Sequence, residues 1–215
     1  MSQDIEIVNV CPAFFTSVEN RQSDVWGQRL SLLSGRTYAI SAASGKGKST
    51  LLNMIFGVRA IPNGDVIIHN RSSKTFSAED RSVLRSRWCS MVFQDMQLFQ
   101  HLTARENLEL KNQLSETPRI EEIQDWCKLL EVDAFLDRPC GQLSLGQQQR
   151  IAIVRALLQP FEWLLLDEPT SHLDEQNAKR AMDLIKEECT KRSAGCLVTT
   201  LESKPLFHYD HLLYC

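Results

Sequence analysis

Four short segments stand in one order along this chain, and together they limit the folds that it can adopt. They are SGKGKST at 44–50, FQD at 93–95, LSLGQQQR at 143–150 and LLLDEPTSHLD at 164–174. The first lies between a short apolar run, Thr37–Ser41, and the stretch 49–58, whose apolar residues recur at helical spacing. A strand, a glycine-rich loop and a helix in succession form the P-loop arrangement. With the other strand-length apolar runs, it predicts an α/β fold with a parallel central sheet.

The remaining apolar runs alternate with helical stretches. A strand is expected at 65–69, directly after Asn63–Gly64, a dipeptide that predicts a tight turn. Three further buried strands are expected at 90–93, 162–167 and 196–200, and amphipathic helices at 103–114 and 119–130.

The loop and the start of its helix are predicted to hold a polyphosphate. Backbone N–H groups in such a loop point inward, and the helix N-terminus adds partial positive charge. The expected ATP-binding residues are Ser44, Gly45, Lys46, Gly47, Lys48, Ser49 and Thr50, with the Ser49 hydroxyl as a ligand of Mg²⁺. The P-loop pattern has Gly where this chain has Ala42, so the entering turn should be slightly strained or differently shaped. A merely flexible loop is the alternative.

Two acids end the apolar strand 164–166. Uncompensated carboxylates are costly on a buried strand, so these acids are expected to serve a cation or a water molecule. Asp167 is predicted to hold Mg²⁺ through water, and Glu168 is predicted to be the general base for an attacking water. An ordinary strand-end turn is the alternative.

Taken together, the segments resemble the nucleotide-binding subunit of ATP-binding cassette (ABC) transporters, over nearly the whole chain. The resemblance implies one ABC ATP-binding domain, 1–215, with a RecA-like P-loop NTPase core, a mainly parallel sheet and an N-terminal antiparallel β part. The core comprises 1–94 and 151–215, and a helical subdomain, 95–150, is inserted. Gln94 is implied as a catalytic residue that touches Mg²⁺ and the water, in a loop that senses the membrane partner.

The segment LSLGQQQR distinguishes this family from other P-loop proteins. By resemblance to LSGGQ, Ser144, Gly146 and Gln147 form the signature that contacts the γ-phosphate of ATP held by a second subunit. Leu145 stands where the family has Gly, so its side chain must point away from the nucleotide or crowd the partner. Ser144 is also a plausible helix N-cap, and the two roles are compatible. The segment 171–174 (SHLD) matches the family's D-loop, with Asp174 at the dimer interface.

One family residue is missing. After the strand 196–200 the family places a His that bonds the γ-phosphate, and counting back nine residues from Asp210 gives Leu201. Losing a preorganised donor of this type costs about 3–4 kcal/mol, so the ATPase is expected to be slow. The adenine is expected to stack on Phe14, with Phe15 as the second candidate.

Composition limits the partners and the cellular location that are expected for this chain. The net charge of −3 and pI near 6.0 give no basic field, so no nucleic-acid partner is expected. The apolar runs are too short for membrane spans, and the acidic, alternating segment MSQDIEIVNV is not expected to be a signal peptide. The seven cysteines include no C-x-x-C pair, which favours reduced thiols. The expected place is cytoplasmic, peripheral on the inner face of the cell membrane.

These features predict the ATPase subunit of a membrane complex, paired with an identical or different ATP-binding subunit and with separate transmembrane chains. The segment QDMQLFQHLTARENL resembles the bacterial lipoprotein-releasing, macrolide-exporting and cell-division ATPases. One alternative is a degenerate cassette that binds ATP and regulates a partner with little turnover. A soluble cassette acting on ribosomes or DNA, and a P-loop kinase or GTPase, are the others. The soluble cassette lacks support because no second, linked cassette is visible in this sequence. The kinase or GTPase alternative is opposed by the signature segment.

Overall fold

Two β-sheets organise the part of the chain that this computed structural model describes, namely residues 4–12, 23–113, 119–201 and 207–215. The strands are β1 (Ile5–Cys11), β2 (Arg29–Leu32), β3 (Thr37–Ser41), β4 (Asn63–Ile68), β5 (Arg71–Ser72), β6 (Cys89–Val92), β7 (Trp163–Asp167), β8 (Gly195–Thr200) and β9 (His211–Tyr214). The helices are α1 (Lys48–Ile55), α2 (Ala78–Val83), α3 (Ala104–Gln113), α4 (Ile120–Leu129), α5 (Leu145–Leu157) and α6 (Glu175–Arg192). The predicted helices and strands are therefore confirmed, with small shifts at their ends.

The first sheet is antiparallel, in the order β2-β1-β4-β5. Here one prediction is wrong, because Asn63–Gly64 is not a turn between strands but the start of β4. Gly64 has φ +74°, and the register between β1 and β4 shifts beside it. A Cβ at Gly64 would lie 2.3 Å from the backbone of Asn9, so only glycine fits this irregularity. The dipeptide therefore marks a β-bulge.

The second sheet is parallel, in the order β6-β7-β8-β3-β9. The carboxyl ends of parallel strands meet at one edge of a sheet, which is where α/β folds bind ligands. The phosphate-binding loop leaves β3 at this edge, Gln94 follows β6, Asp167 ends β7 and Leu201 follows β8. The topology therefore gathers the predicted site residues, although they are far apart in sequence.

Successive residues of β7 alternate between two hydrophobic cores. Trp163 and Leu165 pack into the core shared with the antiparallel sheet and α1. Leu164 and Leu166 pack into the core shared with the helices between β6 and β7 and with α6. Because the side chains of a strand point to opposite faces in turn, one five-residue strand holds both layers together.

The helices α3 and α4 lie between β6 and α5 in the chain, as predicted for the inserted segment. Trp126, Cys127 and Leu130 of the α4 region are buried in the same core as Ile151 and Val154 of α5. The division of the chain into 1–94, 95–150 and 151–215 remains a prediction. No helix in the four described ranges is long and apolar enough to cross a membrane. All seven cysteines are free thiols, five of them buried.

Candidate active site

The phosphate-binding loop connects β3 to α1. Gly45 and Gly47 have φ +80° and +82°, left-handed values that glycine adopts without strain. Gly47 is the N-cap of α1, so Lys48, Ser49 and Thr50 form the first turn of the helix. Its unpaired backbone N–H groups lie at the helix N-terminus, which suits an anion.

Lys48 is 5% exposed, and its ammonium already has three oxygen neighbours. Its Nζ donates to the Ala42 carbonyl at 2.7 Å and to the Ala43 carbonyl at 3.3 Å. It also lies 3.3 Å from Oε1 of Glu168. A buried ammonium needs such partners, and these contacts bring together the P-loop and the strand that carries the acids.

Of the two expectations for the turn at Ala42, strain or a different shape, the backbone angles exclude strain from a positive φ. It is buried and is not among the described residues with positive φ, so it needs no glycine-like conformation. Its N–H donates to the Thr200 carbonyl at 3.3 Å. The loop is also held at the Lys46 carbonyl, which accepts a 3.1 Å hydrogen bond from Nε1 of Trp26.

The carboxylates of Asp167, at the end of β7, and of Glu168, directly after it, have different hydrogen-bond and ion-pair partners. Asp167 is 2% exposed and accepts a 2.7 Å hydrogen bond from Oγ1 of Thr199. Glu168 lies beside Lys48, and Nε2 of Gln94 is 3.5 Å from its Oε2. Lys48, Gln94 and Glu168 therefore meet in one place, as the sequence predicts for a site that activates a water molecule.

Glu168 has an unusual backbone conformation, with φ +50°. A non-glycine residue in the left-handed region costs about 1–3 kcal/mol and persists only where the surroundings fix it. Two side chains fix it here. The Glu168 N–H donates to Oγ1 of Thr199 at 3.1 Å, and its carbonyl accepts from Nε2 of Gln149 at 3.0 Å.

The signature segment forms the N-terminus of α5. The Ser144 hydroxyl accepts from the Gln147 N–H, and the Gln147 side chain accepts from the Ser144 N–H, which is a capping box. The helix thus begins at Leu145, directly after its N-cap Ser144. The Leu145 side chain is 55% exposed. A Cβ on Gly146 would lie 2.8 Å from the His172 carbonyl, so the signature packs tightly against the D-loop of its own chain.

The other predicted residues lie at the surface or outside the described ranges. Asp174 is the exposed N-cap of α6, where it accepts from the Asn177 N–H at 2.8 Å. Its hydrogen bonds to Asn177 lower the pKa of the Asp174 carboxyl. Leu201 is 52% exposed, directly after β8. Phe14 and Phe15 lie outside the described residues.

The predicted Mg²⁺ ligands form an all-oxygen donor set. No group of three or more His, Cys, Asp and Glu side chains in the described ranges could hold a metal ion. A hydroxyl (Ser49), an amide (Gln94) and a buried carboxylate (Asp167) are nevertheless the oxygen donors that suit Mg²⁺, which keeps several waters and binds substrate phosphates. The residue types present therefore suit a magnesium ion.

Three residues of this site were missed by the sequence analysis. Trp26 supports the phosphate-binding loop, and Thr199 and Gln149 hold Glu168. None of them left a usable signal in the sequence. Thr199 lies opposite Asp167 only through the parallel register of β7 and β8, and neither a strand register nor the direction of a glutamine on a helix is readable from one sequence.

Fold and site together define a P-loop NTPase. The family model described as ABC transporter matches residues 27–171. The chain belongs to the ABC transporter family.

Relatives of this chain include transporter ATP-binding proteins. It is 36% identical to the macrolide export ATP-binding/permease protein MacB of Pasteurella multocida over 73% of this chain and 25% of MacB. It is 37% identical to the sn-glycerol-3-phosphate import ATP-binding protein UgpC of Roseobacter denitrificans, over 72% of this chain and 42% of UgpC. The chain thus spans less than half the length of these two relatives.

Solved structures give the same result. The ATP-binding cassette MJ0796, in a dimeric post-hydrolysis state bound to ADP and Pi, matches with a TM-score of 0.78 and 28% identity. The match covers 92% of this chain and 88% of MJ0796. A second dimeric structure of MJ0796, a bacterial ABC transporter cassette, matches with a TM-score of 0.79 and 29% identity.

Proposed function

We propose that this chain binds Mg-ATP and hydrolyses it to ADP and phosphate as the ATPase subunit of a membrane transport complex. The observation that carries the proposal is the meeting of Lys48, Gln94 and Glu168 at the carboxyl edge of the parallel sheet. A cation for phosphates and a carboxylate for water stand within 3.3 Å of each other there.

The contacts of Lys48 suggest how the nucleotide activates the site. Lys48 lies 3.3 Å from Oε1 of Glu168 and neutralises its charge. Phosphate oxygens compete for the ammonium, which releases the Glu168 carboxylate to accept a proton from water. The water oxygen then bonds to the γ-phosphorus as the bond to the β-phosphate oxygen breaks. Mg²⁺, when bound, neutralises charge on the phosphate oxygens.

The second subunit is proposed to supply the signature. Ser144, Gly146 and Gln147 lie at a helix N-terminus, which favours an anionic group. The dimeric state of MJ0796 supports an ATP-dependent dimer here, either of identical or of different cassettes. Exposed Asp174 and Leu201 would lie at the same interface.

A separate transmembrane subunit is proposed to dock beside Gln94. A cavity of about 250 Å³ lies there, lined by Phe56, Phe93, Phe99 and Leu110 among others. Phe99 and Leu110, which both line this cavity, are 52% and 44% exposed, and exposed apolar side chains grouped in this way are typical of a contact surface. Such docking would hold the chain at the inner face of the cell membrane.

Phe99→Asp is expected to abolish co-purification with a membrane subunit, because it places a charge in the apolar contact. Affinity purification of the tagged chain from its native membranes, followed by identification of bound integral membrane proteins, measures this. Leu129→Asp is the matched control, since Leu129 is 46% exposed on α4, outside this cavity. Equal recovery with both variants would contradict the proposed surface.

The ATPase is proposed to be slow, because Leu201 supplies no hydrogen bond to the γ-phosphate. We expect Leu201→His to raise kcat while ATP affinity changes little, since the bond strengthens as charge develops in the transition state. The gain should fall short of the roughly 10²-fold that a preorganised donor supplies, because the new side chain lacks supporting contacts. Steady-state phosphate release measures it, with Glu168→Gln in each background as the blank. A parent chain as fast as ordinary cassettes would contradict an impaired site.

The alternative is a cassette that binds ATP and regulates a membrane partner with little turnover. The exposed leucines at positions 145 and 201, where the family has Gly and His, favour it. Parent turnover no greater than that of Glu168→Gln, with ATP binding intact, would select this alternative.

A further inference from the structure

Gln149 is a buried polar residue with no role in the predicted site. It lies on α5, one turn after the signature residues Ser144–Gly146, and is 1% exposed. Buried amides are costly unless hydrogen-bonded, and the Gln149 amide is fully used. Its Nε2 donates to the Glu168 carbonyl at 3.0 Å and lies 3.4 Å from the Ser171 hydroxyl. Its Oε1 accepts from the His172 N–H at 3.0 Å.

These bonds hold the main chain of the proposed general base. Glu168 has φ +50°, a conformation that needs support from outside the residue. Thr199 binds its N–H from β8, and Gln149 binds its carbonyl from α5. The Glu168 carbonyl also accepts a 3.2 Å hydrogen bond from the Ser171 N–H. If the Gln149 bond is lost, the carbonyl keeps only this bond within its own turn, and the Glu168 backbone can relax toward ordinary φ, which redirects the carboxylate.

The same amide joins Glu168 to the signature helix. Gly146 contacts the His172 carbonyl so closely that no Cβ would fit, while Gln149 binds the His172 N–H three residues further along α5. The first two turns of α5, the D-loop and the Glu168 backbone are therefore packed and hydrogen-bonded as one unit. A shift of the signature when it meets a nucleotide would be passed to Glu168 of the same chain.

We propose that Gln149 is a positioning residue for Glu168, which couples the signature helix to the general base through its side-chain amide. This rests on the proposed hydrolysis. Gln149 touches no reacting atom; it sets the direction of the carboxylate that does.

The first test compares two buried glutamines of α5 and its C-terminal extension. Gln159→Ala is the matched control, because Gln159 is also buried, at 3% exposed, and its Nε2 also donates two hydrogen bonds. These bonds go to the carbonyls of Arg85 and Cys89, beyond the C-terminal end of α5 and not to the Glu168 backbone. We expect Gln149→Ala to lower kcat about ten- to a hundredfold, as small misplacements of a reacting group do, with KM for ATP changed by less than roughly twofold. Gln159→Ala should lose similar thermal stability and keep kcat. Equal kcat for the two variants overturns the proposal.

The second test keeps the shape of the side chain and removes only its donor. In Gln149→Glu, an ionised carboxyl repels the Glu168 carbonyl, whereas a protonated one donates to it as the amide does. Burial raises the pKa of the introduced carboxyl, so it protonates as the pH falls. The kcat of Gln149→Glu relative to the parent should therefore rise as the pH is lowered from about 8.5 to about 6. A pH-independent ratio overturns the proposal, and it decides the matter if Gln149→Ala fails to fold.

The proposed hydrolysis and the positioning role of Gln149 are distinguished by kcat. If the parent chain releases phosphate no faster than Glu168→Gln, the proposed hydrolysis is wrong and the positioning role falls with it. If the parent chain turns over and Gln149→Ala matches it in kcat, hydrolysis stands and only the role of Gln149 is wrong.

Discussion

Lys48→Ala is expected to lose most ATP binding, with Kd raised about 10- to 100-fold, because hydrogen bonds to charged groups contribute about 1.5–3 kcal/mol each. Lys48 presents the principal charge for the β- and γ-phosphates, and its ammonium lies at the mouth of the loop between Ala42 and Glu168. The measurement is titration calorimetry with a slowly hydrolysed ATP analogue and Mg²⁺.

The Lys48→Ala substitution is also expected to affect stability, which is measured separately from ATP binding. Removing Lys48 leaves Glu168 without its cation, so the variant should also be less stable without nucleotide. Lys74→Ala, at an exposed lysine after β5, is the control and should bind like the parent. Equal affinity of Lys48→Ala and the parent, in a folded variant, would refute the assignment of the P-loop.

Glu168→Gln is expected to keep ATP binding and to lower turnover about 10²- to 10⁴-fold, the contribution of a general base. The amide has the size of the carboxylate but cannot accept the proton of the attacking water. Affinity should not fall, because the substitution also frees Lys48 from its ion pair. Phosphate release at saturating Mg-ATP measures the effect, and Glu121→Gln on the exposed face of α4 is the control.

The same variant tests the ATP-dependent dimer. If hydrolysis separates the two subunits, Glu168→Gln should remain dimeric with ATP and revert to monomer when ATP is removed. Light scattering at protein concentrations above the nucleotide affinity distinguishes the states. A monomer with ATP would contradict an identical pair, and mixing with a different cassette would then test the unlike pair.

Several structural features could be predicted because each depends only on residues that are neighbours in the sequence. The glycines before Lys48 and the helical pattern after it indicate the phosphate-binding loop. The strand that ends at Asp167 is indicated by four apolar residues that precede two acids. Ser144 was recognisable as a cap because a glutamine follows three residues later. Asn63–Gly64 was misread because the same dipeptide serves a tight turn and a bulge, and only the strand beside it decides between them.

The sequence by itself determined the family, the phosphate-binding loop and the identity of the paired acids, because these depend on residue types at fixed local spacing. The tertiary structure alone decided how the acids are held. Thr199 accepts a hydrogen bond from the Glu168 N–H because of the register of two parallel strands. Gln149 donates to the Glu168 carbonyl from a helix that packs against the D-loop. The tertiary structure also decided that Ala42 needs no positive φ and that Lys48 forms an ion pair with Glu168. These facts are contacts between residues far apart in the chain, which depend on packing and register rather than on local pattern.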